Sequence, residues 1–228
     1  MNVAFIPVRG GSKSIPLKNI KLIAGKPLVY WTIKSACECK YIDRVFISTD
    51  SERIRKTVDS FGFSKAETIE RSSETATDTA STESAMLEFA TKYDFENIVL
   101  IQATSPLLTA ADLNGGFELF GQPGTDSVFS AFRNWQFLWK TNEENIAYPD
   151  QYDPAHRPRR QDHSGYLIEN GAFYITKKEL LIANSCRLSG TIRTYEMGRM
   201  ASLEIDEPDD FTVIDMYLKY RQNQEDGD

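Results

Sequence analysis

Cysteine is scarce in this chain: Cys37, Cys39 and Cys186 are the only three among 228 residues. So sparse and odd a set excludes a disulfide scaffold. Cys37-Glu38-Cys39 has the spacing of half a metal site, but no second pair and no neighbouring histidine complete it, so ordinary helix cysteines are the better reading. Histidine is scarcer still. His156 and His163 have no visible Asp or Ser partner, and neither a Ser-His-Asp order nor a His/Cys metal spacing can be drawn. There is no apolar run long enough to span a bilayer, and Met1–Pro7 carries no basic start. The expectation is a cytoplasmic protein with no membrane partner. Excess positive charge is also missing. A formal net charge of −7 speaks against a nucleic-acid protein, which is usually basic. It does not exclude a nucleotide enzyme, whose cations need only be local. Internal repeats are absent, as are the P-loop spacing Gly-x-x-x-x-Gly-Lys-Ser/Thr and the dinucleotide fingerprint.

What is present alternates strand and helix. Val3 to Val8 is a short apolar run suited to a buried strand, and the Gly- and Lys-rich stretch Arg9 to Asn19 follows it. Pro27 suits the first turn of a helix bearing Leu28, Trp31 and Ile33. Val45-Phe46-Ile47 reads as a strand, and Ser51 as the cap of a helix with Ile54, Val58 and Phe61. After a polar loop from Arg71 to Ser81, a helix face carries Met86, Phe89, Ala90 and Tyr93. Ile98 to Ile101 is the cleanest buried strand. Thr109 then caps a helix with Leu113, Phe117 and Phe120, and Ser127 to Phe132 is another strand. Residues 134–168 break the rhythm with Trp135, Trp139, three prolines and Arg157-Pro158-Arg159-Arg160. So long an insertion, rich in rings, predicts an ordered arm. The core pattern resumes at Gly171, Met200 to Ile205 reads as a strand, and Phe211, Ile214 and Leu218 mark a closing helix. At this length the pattern predicts one α/β domain over 1–228, with a mostly parallel sheet between two layers of helices. In such folds ligands lie at the carboxyl ends of the strands. The polar loops beginning at positions 9, 71 and 102 follow apparent strand ends, so they should gather at one edge.

Several of these residues suit a polyanion. Gly10 and Gly11 let backbone N–H groups approach one closely, and Arg9, Lys13 and Lys18 add charge around the same loop. A glycine turn with solvated lysines is the plainer alternative. Glu204 and Asp206, two apart on a strand, would project together and hold Mg²⁺ through oxygen while phosphates complete the shell. Two solvated acids on an exposed edge would look the same. Gln102, Thr104 and Ser105 offer neutral donors and acceptors suited to a sugar acid, or simply a polar turn. The Arg157, Arg159 and Arg160 cluster suits a carboxylate, a phosphate or a partner surface.

Taken together, Arg9 to Asn19, Ser48-Thr49-Asp50, Arg71 to Glu74, Asp78 to Ser81, Gln102 to Pro106, Arg157 to Asp162 and Glu169-Asn170-Gly171 resemble the acylneuraminate cytidylyltransferases, the CMP-sialic acid synthetases. The last two segments look most like the animal-type branch. The resemblance implies a three-layer Rossmann-like nucleotidyltransferase fold whose arm crosses to a second copy in a homodimer, with pairing of dimers into tetramers left open. It implies transfer of CMP from CTP to the anomeric hydroxyl of a nonulosonic acid, with Mg²⁺ or Mn²⁺ as cofactor and release of pyrophosphate. By similarity Arg9, Gly10, Gly11, Ser12, Lys13 and Lys18 cradle the triphosphate. Asn19, Arg71 and Thr82 contact the nucleoside. Gln102, Thr104, Ser105, Asn170, Gly171 and Tyr174 line the sugar pocket, and Arg160 reaches the partner's site. Arg9, Lys13, Lys18 and Asp206 stand as the catalytic set. Members often carry Asp-Ile-Asp where this chain has Glu204-Ile205-Asp206, which leaves Asp206 the surer metal ligand. Some bacterial members have Arg-Pro where Ile168-Glu169 stand. Alternatives within the fold are legionaminate, pseudaminate or deaminated neuraminate as the sugar, or another sugar nucleotidyltransferase. Outside it stands a nucleotide-binding scaffold. The Ser-Thr-Arg loop usual in the 3-deoxy-octulosonate branch is absent.

Overall fold

The computed structural model describes residues 1–11 and 15–225. The chain runs through β1 (Asn2–Pro7), β2 (Leu22–Ile23), β3 (Lys26–Pro27), α1 (Leu28–Glu38), β4 (Arg44–Thr49), α2 (Glu52–Asp59), β5 (Ala66–Glu70), α3 (Thr82–Lys92) and β6 (Asn97–Ile101). It continues through α4 (Ala110–Phe120), β7 (Ser127–Asn134), β8 (Trp139–Thr141), β9 (Ala147–Pro149), β10 (Tyr166–Lys177), α5 (Lys178–Asn184), β11 (Ile192–Glu196) and α6 (Pro208–Glu225). Seven strands form one sheet in the order β11-β7-β10-β6-β1-β4-β5. β1 pairs parallel with β4 and β6, β4 with β5, and β11 with β7, while β10 is antiparallel to both neighbours.

Strand alternation builds the layers. Ala4, Ile6, Val45, Ile47, Val99 and Ile101 face α1, α2 and α4 on one side. Val3, Phe5, Phe46, Ile98 and Leu100 face α3 and α5 on the other. Because both faces are covered, the central strands are apolar throughout, which is why β1 and β6 read so clearly. The helix starts follow the expected chemistry. The Ser51 hydroxyl accepts from the Ile54 N–H, and Thr109 and Asp112 form a reciprocal capping box. Gly115 and Gly116 let α4 lie directly on the sheet: a Cβ on Gly116 would fall 2.6 Å from the Phe173 ring, and one on Gly115 2.3 Å from the Tyr195 ring. A third, smaller core joins α6, through Phe211, Ile214 and Leu218, to Ile23, Leu28, Leu107 and Ile205.

Three expectations need correction. Residues 200–205 are not a strand. The Ser202 N–H bonds to the Gly198 carbonyl and the Leu203 N–H to that of Met200, so the segment turns before extending. Among the described residues, only Ile205 meets a neighbour in ladder fashion, donating to the Thr104 carbonyl at 2.9 Å. Phe61 lies beyond the end of α2, though still packed on the core. The sheet also resumes before Gly171. β10 already pairs at Tyr166 with Asn134, and its register shifts between Glu169 and Tyr174. That bulge holds Asn170 and Gly171, the latter at φ +68°.

Between β7 and β10, the β8–β9 hairpin pairs Trp139 with Pro149, and its turn is tied by the Asn142 side chain. Rings order the rest. Phe137 lies 4.4 Å from Tyr152 and 5.7 Å from His163, with the Arg157 guanidinium 4.5 Å above it. Trp139, Ile146, Tyr148 and Leu167 remain exposed on this region's surface.

Candidate active site

The loops after β1, β5 and β6 do converge. They line a cleft of about 430 Å³ with Arg9, Gly11, Lys18, Asn19, Arg71, Thr77, Asp78, Thr82, Gln102 and Thr104 among its walls. The parallel strands fix this, because each ends at the same edge and delivers its loop there. Thr82 is the first residue of α3. Ser12 and Lys13 lie outside the described residues.

The cleft is cationic but internally braced. Arg9 is paired with Asp78 across the cleft, and the Asn19 amide donates to the Arg9 carbonyl. Arg71 is buried; its guanidinium donates to the Thr75 carbonyl, while its Nε has no partner among the described residues. Burial pulls the Arg71 pKa down, and nearby Arg9 does the same, with Asp50 and Glu88 opposing. The Arg71 loop is pinned to α3 by Glu88, which accepts from Ser72 Oγ at 2.9 Å, Thr75 Oγ1 at 2.7 Å and Lys92 Nζ at 2.6 Å. Burial alone would raise the Glu88 pKa, but these bonds hold it at about 2. An unpaired buried Nε–H beside an open cleft is a donor waiting for an acceptor.

Gly10 departs from its expected role. Its N–H donates to Asp50 Oδ1 at 2.7 Å, and a Cβ there would fall 2.9 Å from Ser51 Cβ. Close packing against β4's end, rather than approach of an anion, explains this glycine. Gly11 does open on the cleft, with nothing among the described residues within 4 Å of where its Cβ would stand.

The carboxylate pair stands at the cleft's edge. Lys18 Nζ donates to the Ile205 carbonyl at 2.7 Å and lies 3.7 Å from Asp206 Oδ1. Glu204 packs on the bulge, where a Cβ on Gly171 would fall 2.5 Å from Glu204 Oε1. Burial pushes the Glu204 carboxyl up to about 7; Asp206 and Glu169 add to this and Lys18 opposes it. The pair sits on an extended stretch that follows the turn at 198–203 and pairs with no strand among the described residues, and Lys18, which lines the cleft, reaches it. Among the described residues, no three His, Cys, Asp or Glu side chains form a metal-holding group.

Of the residues expected to line a sugar pocket, Gln102 and Thr104 line the cleft, but Ser105 does not. It is 1% exposed and its Oγ has no partner among the described residues. The Tyr174 hydroxyl donates to Glu169, its ring carries the Arg187 guanidinium at 4.9 Å, and Arg187 grips Glu83 with two hydrogen bonds. Burial raises the Tyr174 pKa, and Glu169 raises it further. Asn170 is also buried and fully engaged. Its Oδ1 accepts from Ser130 Oγ and the Ala172 N–H, and its Nδ2 donates to Ser202 Oγ and Met197 Sδ. As placed, it offers the cleft neither donor nor acceptor. Arg160 lies elsewhere. It stacks 4.7 Å over Trp135 and lines a separate cavity of about 520 Å³ with Arg133 and Arg199. A single chain therefore does not bring Arg160 to its own cleft.

Nothing in the residues alone assigns a role to Asp50 or Asp78. Each acts through a tertiary partner, a backbone N–H or an arginine from another loop, which no spacing announces.

The chain has relatives among known proteins in both sequence and fold. The sequence profile of the cytidylyltransferase family matches residues 3–224. The N-acylneuraminate cytidylyltransferase A of Danio rerio is 42% identical over 216 residues, covering 93% of this chain and 49% of that protein. An N-acylneuraminate cytidylyltransferase of Streptococcus agalactiae is 32% identical over 217 residues, covering 93% of this chain and 52% of its own length. The chain thus spans about half the length of the curated relatives it matches. In fold it is similar to a CMP-2-keto-3-deoxy-manno-octonic acid synthetase solved with CTP, at TM-score 0.73 and 19% identity, over 96% of this chain and 99% of that one. It is also similar to the 4-diphosphocytidyl-2C-methyl-D-erythritol synthase of Anaerococcus prevotii, at TM-score 0.69 and 12% identity, over 96% of each. On the match that runs from its first strand into its last helix, the chain belongs to the cytidylyltransferase family.

Proposed function

We propose that this chain transfers CMP from CTP to the anomeric hydroxyl of N-acetylneuraminate or a near relative. The observation that carries the reading is Lys18, which faces both the cationic cleft and the Glu204/Asp206 pair. The oxygen of the sugar's anomeric hydroxyl forms a bond to the α-phosphorus of CTP. The bond from that phosphorus to the β-phosphate oxygen breaks, pyrophosphate leaves and the hydroxyl proton is released.

This chain's residues would work by position and charge. Arg9 would exchange its Asp78 partner for phosphate, and Lys18 would meet the charge that grows on the leaving pyrophosphate. The unpaired Arg71 Nε–H and Thr82 offer donors to the nucleoside half, and Gln102 and Thr104 to the sugar acid. The donor set fits a hard dication. Two carboxylates supply oxygen, one of them largely buried near the other, and phosphate oxygens would complete the shell. Glu204 and Asp206 would hold Mg²⁺ or Mn²⁺, which when bound supplies Lewis-acid stabilisation of phosphate charge.

The exposed rings and aliphatics of residues 134–168 support this region as the arm that pairs two copies, and pairing would give Arg160 a site on the partner. The chain is then one catalytic unit plus that arm. No helix among the described residues is long and apolar enough to cross a membrane. A cytoplasmic setting is part of the same proposal.

The test is pyrophosphate release with CTP and Mg²⁺ across N-acetylneuraminate, deaminated neuraminate, legionaminate and pseudaminate, with ATP, GTP and UTP as controls. Turnover restricted to CTP and greatest with N-acetylneuraminate is expected. Preference for another sugar would move the substrate, and turnover with none would remove the reading.

A further inference from the structure

Among the described residues, the segment that carries Glu204 and Asp206 has no strand partner, so something else must hold it. Its ends are tied. The Met197 N–H donates to the Ala131 carbonyl at 2.7 Å, and Ile205 is held by Thr104 and Lys18. Between them, among the described residues, one hydrogen bond joins residues 198–204 to the sheet: Asn170 Nδ2 to Ser202 Oγ at 2.9 Å.

That bond belongs to a directed chain. The Phe173 N–H, freed from the ladder by the β10 bulge, donates to Ser130 Oγ at 2.9 Å. Ser130 Oγ donates to Asn170 Oδ1 at 2.6 Å. Asn170 donates to Ser202 Oγ, which passes its own proton to the Gly198 carbonyl at 3.1 Å. Every donor has an acceptor, and Ser130, Asn170 and Ser202 are all buried. Such a chain in a low-dielectric setting strengthens each member and leaves little freedom to any. Asn170 has no valence left for a ligand, so its side chain serves the protein's own geometry.

We propose that Ser202 is a positioning residue that sets the Glu204/Asp206 pair through Asn170 and Ser130. Only the statement of what the pair binds rests on the function proposed above; the mechanical coupling does not. Removing the Ser202 hydroxyl leaves one Asn170 N–H without its acceptor and the 198–204 segment tied only at its ends.

The experiment compares wild type, Ser202→Ala and Ser202→Thr, the last keeping the hydroxyl. Hydrogen exchange is measured first, without metal or nucleotide. Amides of Ser202 and Leu203 should exchange about tenfold faster in Ser202→Ala, the loss of one buried bond, and return toward wild type in Ser202→Thr. The Mg²⁺ concentration giving half-maximal turnover at saturating CTP should rise about tenfold, with kcat at saturating Mg²⁺ within about twofold. Unchanged exchange, or a fall in kcat at an unchanged Mg²⁺ midpoint, would overturn the proposal. If Ser202→Ala does not fold, Ser130→Ala breaks the same chain and is read in the same way. A wild type that exchanges as described but turns over no CTP sinks the functional reading alone.

Discussion

Replacing Glu204 by Gln should make the protein more stable at pH 8 and leave it nearly unchanged in acid. The carboxyl titrates near 7 in the folded chain instead of about 4.5, because it is buried and faces Asp206. The folded protein therefore keeps a proton that the unfolded chain gives up, so between those pH values folding stability falls as pH rises. The contribution is whole below about 4.5 and gone above about 7. At about 1.4 kcal/mol per pH unit, ionising Glu204 in place costs about 3 kcal/mol, an upper bound because the site relaxes and water enters. Glu204→Gln keeps the shape and removes the charge. Thermal unfolding in EDTA at pH 5 and pH 8 should show the variant gaining on wild type by up to roughly 6–12 °C at the higher pH, at about 2–4 °C per kcal/mol for a chain of this size. Taking the difference between the two proteins cancels the other titrating groups. Adding Mg²⁺ with CTP should narrow the gap, because only the carboxylate gains from a dication. An equal difference at both pH values would refute the reasoning, since it would mean Glu204 ionises freely where it stands.

Three further outcomes are expected. Asp206→Ala should lower turnover by about a thousandfold or more with the far-UV spectrum unchanged; full activity would remove the carboxylate pair from the chemistry. Gly116→Ala should destabilise by about 1–3 kcal/mol in urea unfolding even though alanine favours helices, because its methyl would enter the Phe173 ring. Gly171→Ala should cost about 1–3 kcal/mol, since the position holds φ +68° and its Cβ would meet the Glu204 carboxylate, as the urea midpoint would show.

The central strands were readable because they are buried on both faces, so Val3 to Ile6 and Ile98 to Ile101 stand out as unbroken apolar runs. The edges were not. β5, Ala-Glu-Thr-Ile-Glu, and β11, Ile-Arg-Thr-Tyr-Glu, are half exposed and look like loop. Met200 to Ile205 misled in the opposite direction. Its alternation suits a strand, but a turn opened at Gly198 by backbone bonds outweighs it. The cleft loops could be located because each follows a strand end, a consequence of parallel topology that needs no knowledge of side chains. Which groups those loops leave free could not be read. Asp50 takes the Gly10 N–H, and Ser130 and Ser202 take all that Asn170 has left after its own backbone and Met197. Such pairings join residues 32 to 40 positions apart, and only the folded chain brings them together.

The most direct test of cytidylyl transfer is phosphorus NMR of the chain with CTP, N-acetylneuraminate and Mg²⁺. The account predicts that the three CTP signals give way to one phosphodiester signal and one of pyrophosphate, and that EDTA prevents the change. CTP left intact by folded protein, or split to CMP or CDP while the sugar is untouched, would contradict it.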